Sequence, residues 1–453
     1  MEDIKNSEDL ELATHATIPW LLKYTFIPIM TMLFASLYIV VDGIFIANLT
    51  SASEYAGSVL VGPFLTCFSA IGFMVGGGGN AYVGSLFGEG KKERAVEIFS
   101  MLIEATFILS VVISIIGLLL LKPYLIYQGA SGVLLEKAYE YGLIMLAGSV
   151  LLALQYVFQL FMITSGDETI CFLFTVMAGV VNIALDAFFM MVLHLGVTGA
   201  ALGTVIGELV GAVLPFIFYI KSKKKEDAVL YFKWSKFELK PFSKVCFNGS
   251  SEMVETIAES ILSSFFNYQL LRTVGEMGVE AYGSIMYIFL IFNLVFVQFN
   301  EAVIPLIAYR YGAKDKKEMK NLISKCLTIL VAYSLLFFIT SEILAEPLSA
   351  IFARTGTDIY NMTVNGLRIC SIGLLFMGIA LFIPSLYTAI GNGLVSAVIT
   401  LLEVLVLPAI LISILPELWG INGVWATLFI GEAISIVMCF IIVKVLKTDK
   451  EIM

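Results

Sequence analysis

An aspartate and an amide stand one helical turn apart in Asn182-Ile-Ala-Leu-Asp186, inside a segment apolar enough to cross a bilayer. Residues four apart share a helix face, so Asn182 and Asp186 present oxygens to the same neighbour. A carboxylate at the bilayer centre costs roughly 2.5–3.5 kcal/mol on insertion scales, so it faces a cavity or a partner and points to transport. The bland alternative is an interhelical hydrogen bond worth only about 0.6 kcal/mol on average. A second acid, Asp42, lies in the apolar run Tyr38-Ile-Val-Val-Asp-Gly-Ile-Phe-Ile with no basic neighbour. Glu252, Glu255 and Glu259 are spaced three and four apart and line one helix face, where they repel unless water, cations or protons separate them. Glu252 can be a helix-start charge favoured by the dipole. Glu259, about two and a half turns from the expected helix start near 250, is the stronger candidate. Glu104, Glu208, Glu301, Glu403 and Glu432 also fall in apolar segments, where a structural reading serves at least as well.

Other chemistry is excluded by what is missing. The run Gly76–Gly79 lacks the Gly-Lys-Ser/Thr of a phosphate cradle, so close packing or a break in its helix is the better reading. Gly88-Glu-Gly-Lys-Lys is no Walker motif either. His15 and His194 are the only histidines, and the six cysteines are scattered without paired spacing, so neither zinc nor a disulfide framework is legible. With no nucleophile–base pair, metal set or cofactor motif, the chain reads as no enzyme. Any uphill work must draw on an ion gradient or a partner.

The elements that position these acids are membrane helices. In 453 residues, 59% are hydrophobic and 14% charged, with a mean hydropathy of +0.95, which no ordinary soluble domain shows. Apolar runs of spanning length predict twelve helices, at about 18–46, 54–82, 93–121, 138–162, 169–193, 196–220, 250–272, 280–308, 321–344, 358–387, 394–415 and 419–445. Lysine and arginine concentrate after even-numbered helices, at Lys91, Lys92 and Arg94, at Lys221–Lys225, at Arg310, Lys314, Lys316 and Lys317, and at Lys444, Lys447 and Lys450. The positive-inside rule then puts both termini and every even-numbered loop in the cytoplasm of a multi-pass protein, in a plasma membrane. The formal charge of −9 owes much to the tail acids Glu2, Asp3, Glu8, Asp9 and Glu11, and the lysine run fixes topology rather than binding nucleic acid. The tail has no basic n-region or cleavage site, so no removable signal peptide is expected.

Offsetting the sequence by 224 residues superposes unusual positions. Gly88 meets Gly312, Gly142-Leu143 meets Gly366-Leu367, Gly196 and Gly199 meet Gly420 and Gly423, and Gly207-Glu208 meets Gly431-Glu432. The copies share one orientation, as parallel repeats about an axis along the membrane normal, with cargo expected at their interface. The expected organisation is a cytoplasmic tail (1–17), a first six-helix lobe (18–220), a linker (221–245), a second lobe (246–445) and a C-terminal tail (446–453).

These residues resemble a known family. Pro28 to Asp42, Asn182-x-x-x-Asp186, Gly196-Val-Thr-Gly-Ala-Ala-x-x-Thr204, Tyr311-Gly-Ala313 and Gly420-Ile-Asn-Gly-Val-Trp425 look like the multidrug and toxic compound extrusion (MATE) transporters, over essentially the whole chain. The resemblance implies an N-lobe and a C-lobe around a central cavity, alternating access, and export of organic cations by proton or sodium antiport. The family's N-lobe cation site, for either ion, would fall on Asp42, Asn182, Asp186 and Thr204. A functional glutamate on helix seven, about ten residues after a glycine, matches Gly249 to Glu259. Three departures stand out. Ala187 replaces the usual proline, Asn248-Gly-Ser-Ser-Glu-Met253 fits only some members, and Glu403 precedes Pro408 where an arginine is common. The last argues against anionic cargo.

The sequence thus predicts an all-α polytopic protein, expected as a monomer in the bilayer. It would export amphipathic, cationic small molecules, drugs and toxic compounds among them, through a coupling site at Asp42, Asn182, Asp186 and Thr204. Glu255 and Glu259 would serve as a substrate or second cation site. The alternative within the same superfamily is a lipid-linked oligosaccharide flippase. Its phosphates would need lysine or arginine in the cavity, and the spans offer essentially Arg368 alone.

Overall fold

A computed structural model describes residues 11–225 and 228–446, and every structural statement below concerns those residues. Lys447, Lys450 and the tail acids Glu2, Asp3, Glu8 and Asp9 lie outside them. Twelve long helices follow one another: α1 (Ile18–Leu49), α2 (Ala52–Gly88), α3 (Lys92–Tyr127), α4 (Gly132–Thr164), α5 (Glu168–Val192) and α6 (Gly196–Ser222), then α7 (Ser250–Thr273), α8 (Glu276–Gly312), α9 (Lys316–Ile343), α10 (Asp358–Ala389), α11 (Gly393–Trp419) and α12 (Ile421–Val445). Eleven are long and apolar enough to cross a membrane on composition. The exception is α7, whose apolar average is lowered by Glu252, Glu255 and Glu259, the residues that make it interesting.

Several helices run past the ends of their apolar stretches, because a helix stops where the backbone is forced to turn rather than where hydropathy falls. The Ser51 hydroxyl accepts from Glu54 N–H at 3.3 Å while Ser51 N–H donates back to the Glu54 carboxylate at 2.9 Å, a capping box that fixes the start of α2. Gly196 at the first position of α6 and Gly420 just before α12 both take φ +56°, at positions 224 apart, so the repeat seen in the sequence is also a repeat of backbone conformation. Two short helices, Leu239–Asn248 and Ala345–Phe352, were not expected. The first occupies the end of the linker.

The linker is tied to the first six helices rather than floating. Arg94 on α3 donates two bonds of 2.7 Å to the Glu238 carboxylate, Lys233 N–H donates to Ser100, and Ser235 N–H donates to Glu104 at 3.2 Å. The bidentate Arg94 contact holds the Glu238 carboxyl below the usual glutamate range. Glu104 is therefore occupied with satisfying linker backbone.

α1–α6 pack mainly on one another, as do α7–α12, and the two bundles meet along α2 and α8. That seam is symmetric. A side chain on Gly88 would strike the Tyr309 carbonyl, and one on Gly312 would strike the Ser85 carbonyl. Ser85 and Tyr309, like Gly88 and Gly312, are 224 residues apart, so each glycine sits on the other repeat's equivalent carbonyl and the pseudo-two-fold axis runs between these helices. Glycine is required there because no other residue lets two backbones approach so closely. The glycine run on α2 serves the same seam without breaking its helix: Gly77 lies against Glu252, and Gly78 against Val245 and Gly249. These contacts lie in the half of the molecule that carries the lysine-rich turns. In the other half α1 and α7 expose Leu37, Val40 and Ile44, and Ile261, Phe265 and Tyr268.

A cross-link test follows from the axis. The Cβ position on Gly84 lies 3.3 Å from Ala308 Cβ, near disulfide geometry. In a background cleared of native cysteines, Gly84→Cys with Ala308→Cys should oxidise readily and stop transport, and reduction should restore it. Unimpaired transport by the oxidised protein would show that the seam does not open.

Candidate functional site

The acids of the first bundle gather from three helices. Asp42 on α1 and Asp186 on α5 lie carboxyl against carboxyl, close enough to share a proton, with the Asn182 amide alongside. Asn182 Nδ2 donates to Thr204 Oγ1 of α6 at 3.4 Å. All four residues singled out in the sequence therefore meet in one place. Asp186 is 0% exposed and Asn182 2%, whereas Asp42 and Thr204 are half-buried, so one side of the group reaches open space. Apart from the Asn182 amide beside Asp186, no donor N–H or O–H reaches either Asp186 oxygen or Asp42 Oδ1. Two carboxyls in contact with so little donor support favour a proton or a cation between them, since unshielded repulsion in a low dielectric is severe.

Local sequence explains the convergence. α5 widens into a π-turn over Ala187–Val192 directly after Asp186, a feature common near functional sites because it re-aims side chains. α6 presents small residues to α5. A Cβ on Gly203 would collide with the Asp186 carboxylate, and one on Gly207 would come within 2.8 Å of Asn182 Cβ. The sequence did not single out the neighbours that complete the site. Tyr38 lies against Gln155 and, with Tyr141, near Glu208. Gly148 and Gly211 make room for Glu208 and Gln155. Their signal was the same i, i+4 spacing on α1 and α6, Tyr38 to Asp42 and Thr204 to Glu208, which reads as a shared face.

The second bundle carries more acid. Glu252 and Glu301 lie carboxyl to carboxyl at the seam, where Asn80 Nδ2 also reaches the Glu301 backbone carbonyl at 3.5 Å. Glu255 is half-buried between Glu252 and Glu259. Glu259 reaches the surface of its helix yet is crowded by neighbouring groups, close to Tyr282. None of these acids is in an ion pair among the described residues. Arg368, the one cation expected in a span, lies nearly three turns into α10, is half exposed and reaches Glu346 at 3.3 Å.

Comparison with known proteins agrees with this architecture. The MatE family profile matches residues 28–188 and 253–414, one segment in each bundle. The chain is similar to the multidrug export protein MepA of Staphylococcus haemolyticus, 25% identical with 92% of each chain covered, and to MepA of Staphylococcus aureus at 24%. Among solved structures it superposes on a multidrug resistance MATE family transporter of the MOP superfamily in the outward-facing conformation, with a TM-score of 0.90, 21% identity, and 98% and 99% of the two chains covered. It also superposes on a MOP superfamily transporter from Pyrococcus furiosus, described as having a binding pocket of reverse polarity, at 0.88, 20% identity and 97% of each chain. At such identities the shared fold does not fix the cargo.

Crowding the acid pair should disable it. Gly203→Ala puts a methyl where an Asp186 oxygen lies, and overpacking of this kind costs about 1–3 kcal/mol. We expect ion-driven flux across proteoliposomes to fall at least roughly tenfold, by about 1.4 kcal/mol or more of transition-state stabilisation. Gly283→Ala, with nothing within 4 Å of the new methyl, should leave flux unchanged. Equal flux in the two variants would separate Asp186 from the transport step.

Proposed function

The chain belongs to the MatE family of membrane transporters, and from that premise we propose that it exports amphipathic, cationic small molecules in exchange for protons or sodium ions. The observation that carries this reading is the contact of Asp42 with Asp186, with no cationic partner, beside Asn182 and Thr204. A pair that must share one positive charge is stable when loaded and repulsive when empty, so its occupancy biases one arrangement of the helices that carry it.

Orientation gives the direction. By the positive-inside rule the lysine-rich turns support a cytoplasmic location, at the plasma membrane, for both termini and the close α2–α8 seam, with the opposite half facing outward. An external ion meets half-buried Asp42 first and passes to Asp186 behind it. Loading removes the repulsion that holds α1 off α5, and alternating access then exposes the binding face to the cytoplasm. Segments 18–220 and 246–445 act as the lobes, joined by 221–245 and flanked by the tails 1–17 and 446–453, in a protein that works as a monomer.

Cargo charge follows from the same bookkeeping of signs. Glu255 and Glu259 have no lysine or arginine paired to them among the described residues, which suits an organic cation and disfavours a phosphate-bearing lipid.

The test is flux of a fluorescent cation in proteoliposomes under separate proton and sodium gradients. Asp42→Asn keeps size but cannot change charge, so gradient-driven export should be abolished at normal expression; wild-type rates would remove Asp42 from the mechanism. Glu259→Gln should weaken a monocationic ligand at least roughly tenfold, about 1.4 kcal/mol as expected in a wet cavity, while a matched neutral ligand is unaffected. Equal effects on both ligands would assign Glu259 to structure.

A further inference from the structure

The segment that joins the two bundles lies at membrane depth. From Lys233 to Glu238 it runs along α3, bonded in turn to Glu97, Ser100, Glu104 and Arg94. Glu104 is the last charged residue of α3 before an uncharged stretch from Ala105 to Leu121. At 1.5 Å per residue that stretch is about 26 Å long, close to the roughly 30 Å of bilayer hydrocarbon. Ser235, whose N–H donates to Glu104, therefore sits where α3 enters the hydrocarbon. Its neighbour Trp234 is at the same level and 84% exposed.

The short helix Leu239–Asn248 follows, and it buries Pro241, Val245 and Asn248. That buried face meets both bundles. A Cβ on Gly78 of α2 would strike the Val245 carbonyl, and the Asn248 amide donates to the Thr388 carbonyl of α10 at 2.8 Å. The opposite face shows Leu239 and Phe247 to the outside, with Lys240 and Lys244 running beside them at a four-residue step. Lys236 and Phe237, just before the helix, are exposed as well. Lys233 and Arg94 are held by carboxylates, but among the described residues none pairs with Lys236, Lys240 or Lys244. The Lys244 ammonium lies only over the Tyr82 ring, 4.9 Å from its centre.

Exposed aromatic and aliphatic side chains at the level of the bilayer surface, interleaved with unmatched lysines, fit one kind of partner. Tryptophan favours the headgroup level, and a lysine stem lies along apolar surface while its ammonium reaches for phosphate. We propose that residues 234–247 form a lipid-binding surface on the lysine-rich side of the membrane, specific for anionic phospholipids. Trp234, Phe237, Leu239 and Phe247 enter the headgroup boundary. Lys236, Lys240 and Lys244 bind the lipid phosphates. The lipid is thereby held where the two bundles join.

Fluorescence quenching on the full-length protein in nanodiscs tests it, with Trp234 read as the difference between wild type and Trp234→Phe. Brominated phosphatidylglycerol or brominated phosphatidylcholine is mixed into unlabelled phosphatidylcholine. Both should quench Trp234, with the anionic lipid bound at least roughly tenfold more tightly, since each lysine near the surface is worth on the order of fivefold. Replacing Lys236, Lys240 and Lys244 together by Gln should keep the quenching and remove the preference, and added sodium chloride should shrink the preference in wild type. Equal quenching by the two lipids in wild type, or an unchanged preference in the triple variant, would overturn the proposal. Quenching by neither would overturn it too, by showing that the aromatic face stands in water or against a protein. A preference abolished by inorganic phosphate, but not by sodium chloride at equal ionic strength, would assign the lysines to free phosphate and reject the lipid.

Discussion

Where α2 crosses α8, two glycines let two backbones touch: Gly88 rests on the Tyr309 carbonyl and Gly312 on the Ser85 carbonyl. Everything larger depends on that approach. The contact is reciprocal, so it defines the axis that relates the lobes. It lies at one end of the helices, so closing it closes the lysine-rich side and leaves the other half free to part. Packing of small residues is the main attraction available between membrane helices, because lipid tails are as apolar as leucine and offer no hydrophobic drive. Such a seam is close-fitting yet has few polar bonds to break.

Away from the seam, the chain tolerates an unusual number of carboxyls without basic partners. Asp42 with Asp186, Glu252 with Glu301, and Glu403 near Glu432 are each acid beside acid. A structural protein would match such groups with arginine or lysine, as this one does at Arg94 and Glu238 where its linker is anchored. Leaving them unmatched in low dielectric makes their free energy depend on a bound proton or cation. Energy from an ion gradient can enter the fold only through groups of that kind.

The π-turns connect these two features. Each lies in the fifth helix of its lobe, beside a buried acid, and each replaces regular helix geometry with a local widening. Glycines on α6 then let that helix close over Asp186 and Asn182, so acid placement and helix packing are one constraint. A side chain added at Gly203 or Gly207 changes both together.

Much of this was legible in the chain. Hydropathy runs gave the spans, since a bilayer demands about twenty apolar residues for each crossing. Even α7 was legible from its register despite its acids. The 224-residue repeat and the spacing of Asn182 and Asp186 were visible because helix periodicity and duplicated glycines survive as pattern. Distance between helices does not survive that way. Tyr38, Tyr141, Gln155 and Glu208 join the first acid group, Glu104 turns out to serve the linker, and Glu259 comes to lie near Tyr282 only because of how α1, α3, α4, α6, α7 and α8 are placed. Sequence by itself determined which residues share a face of one helix, because that is set by 3.6 residues per turn. Which faces meet, and therefore which acid finds another acid and which finds a donor, was decided by the tertiary structure, since packing between helices depends on side-chain shape at every crossing at once.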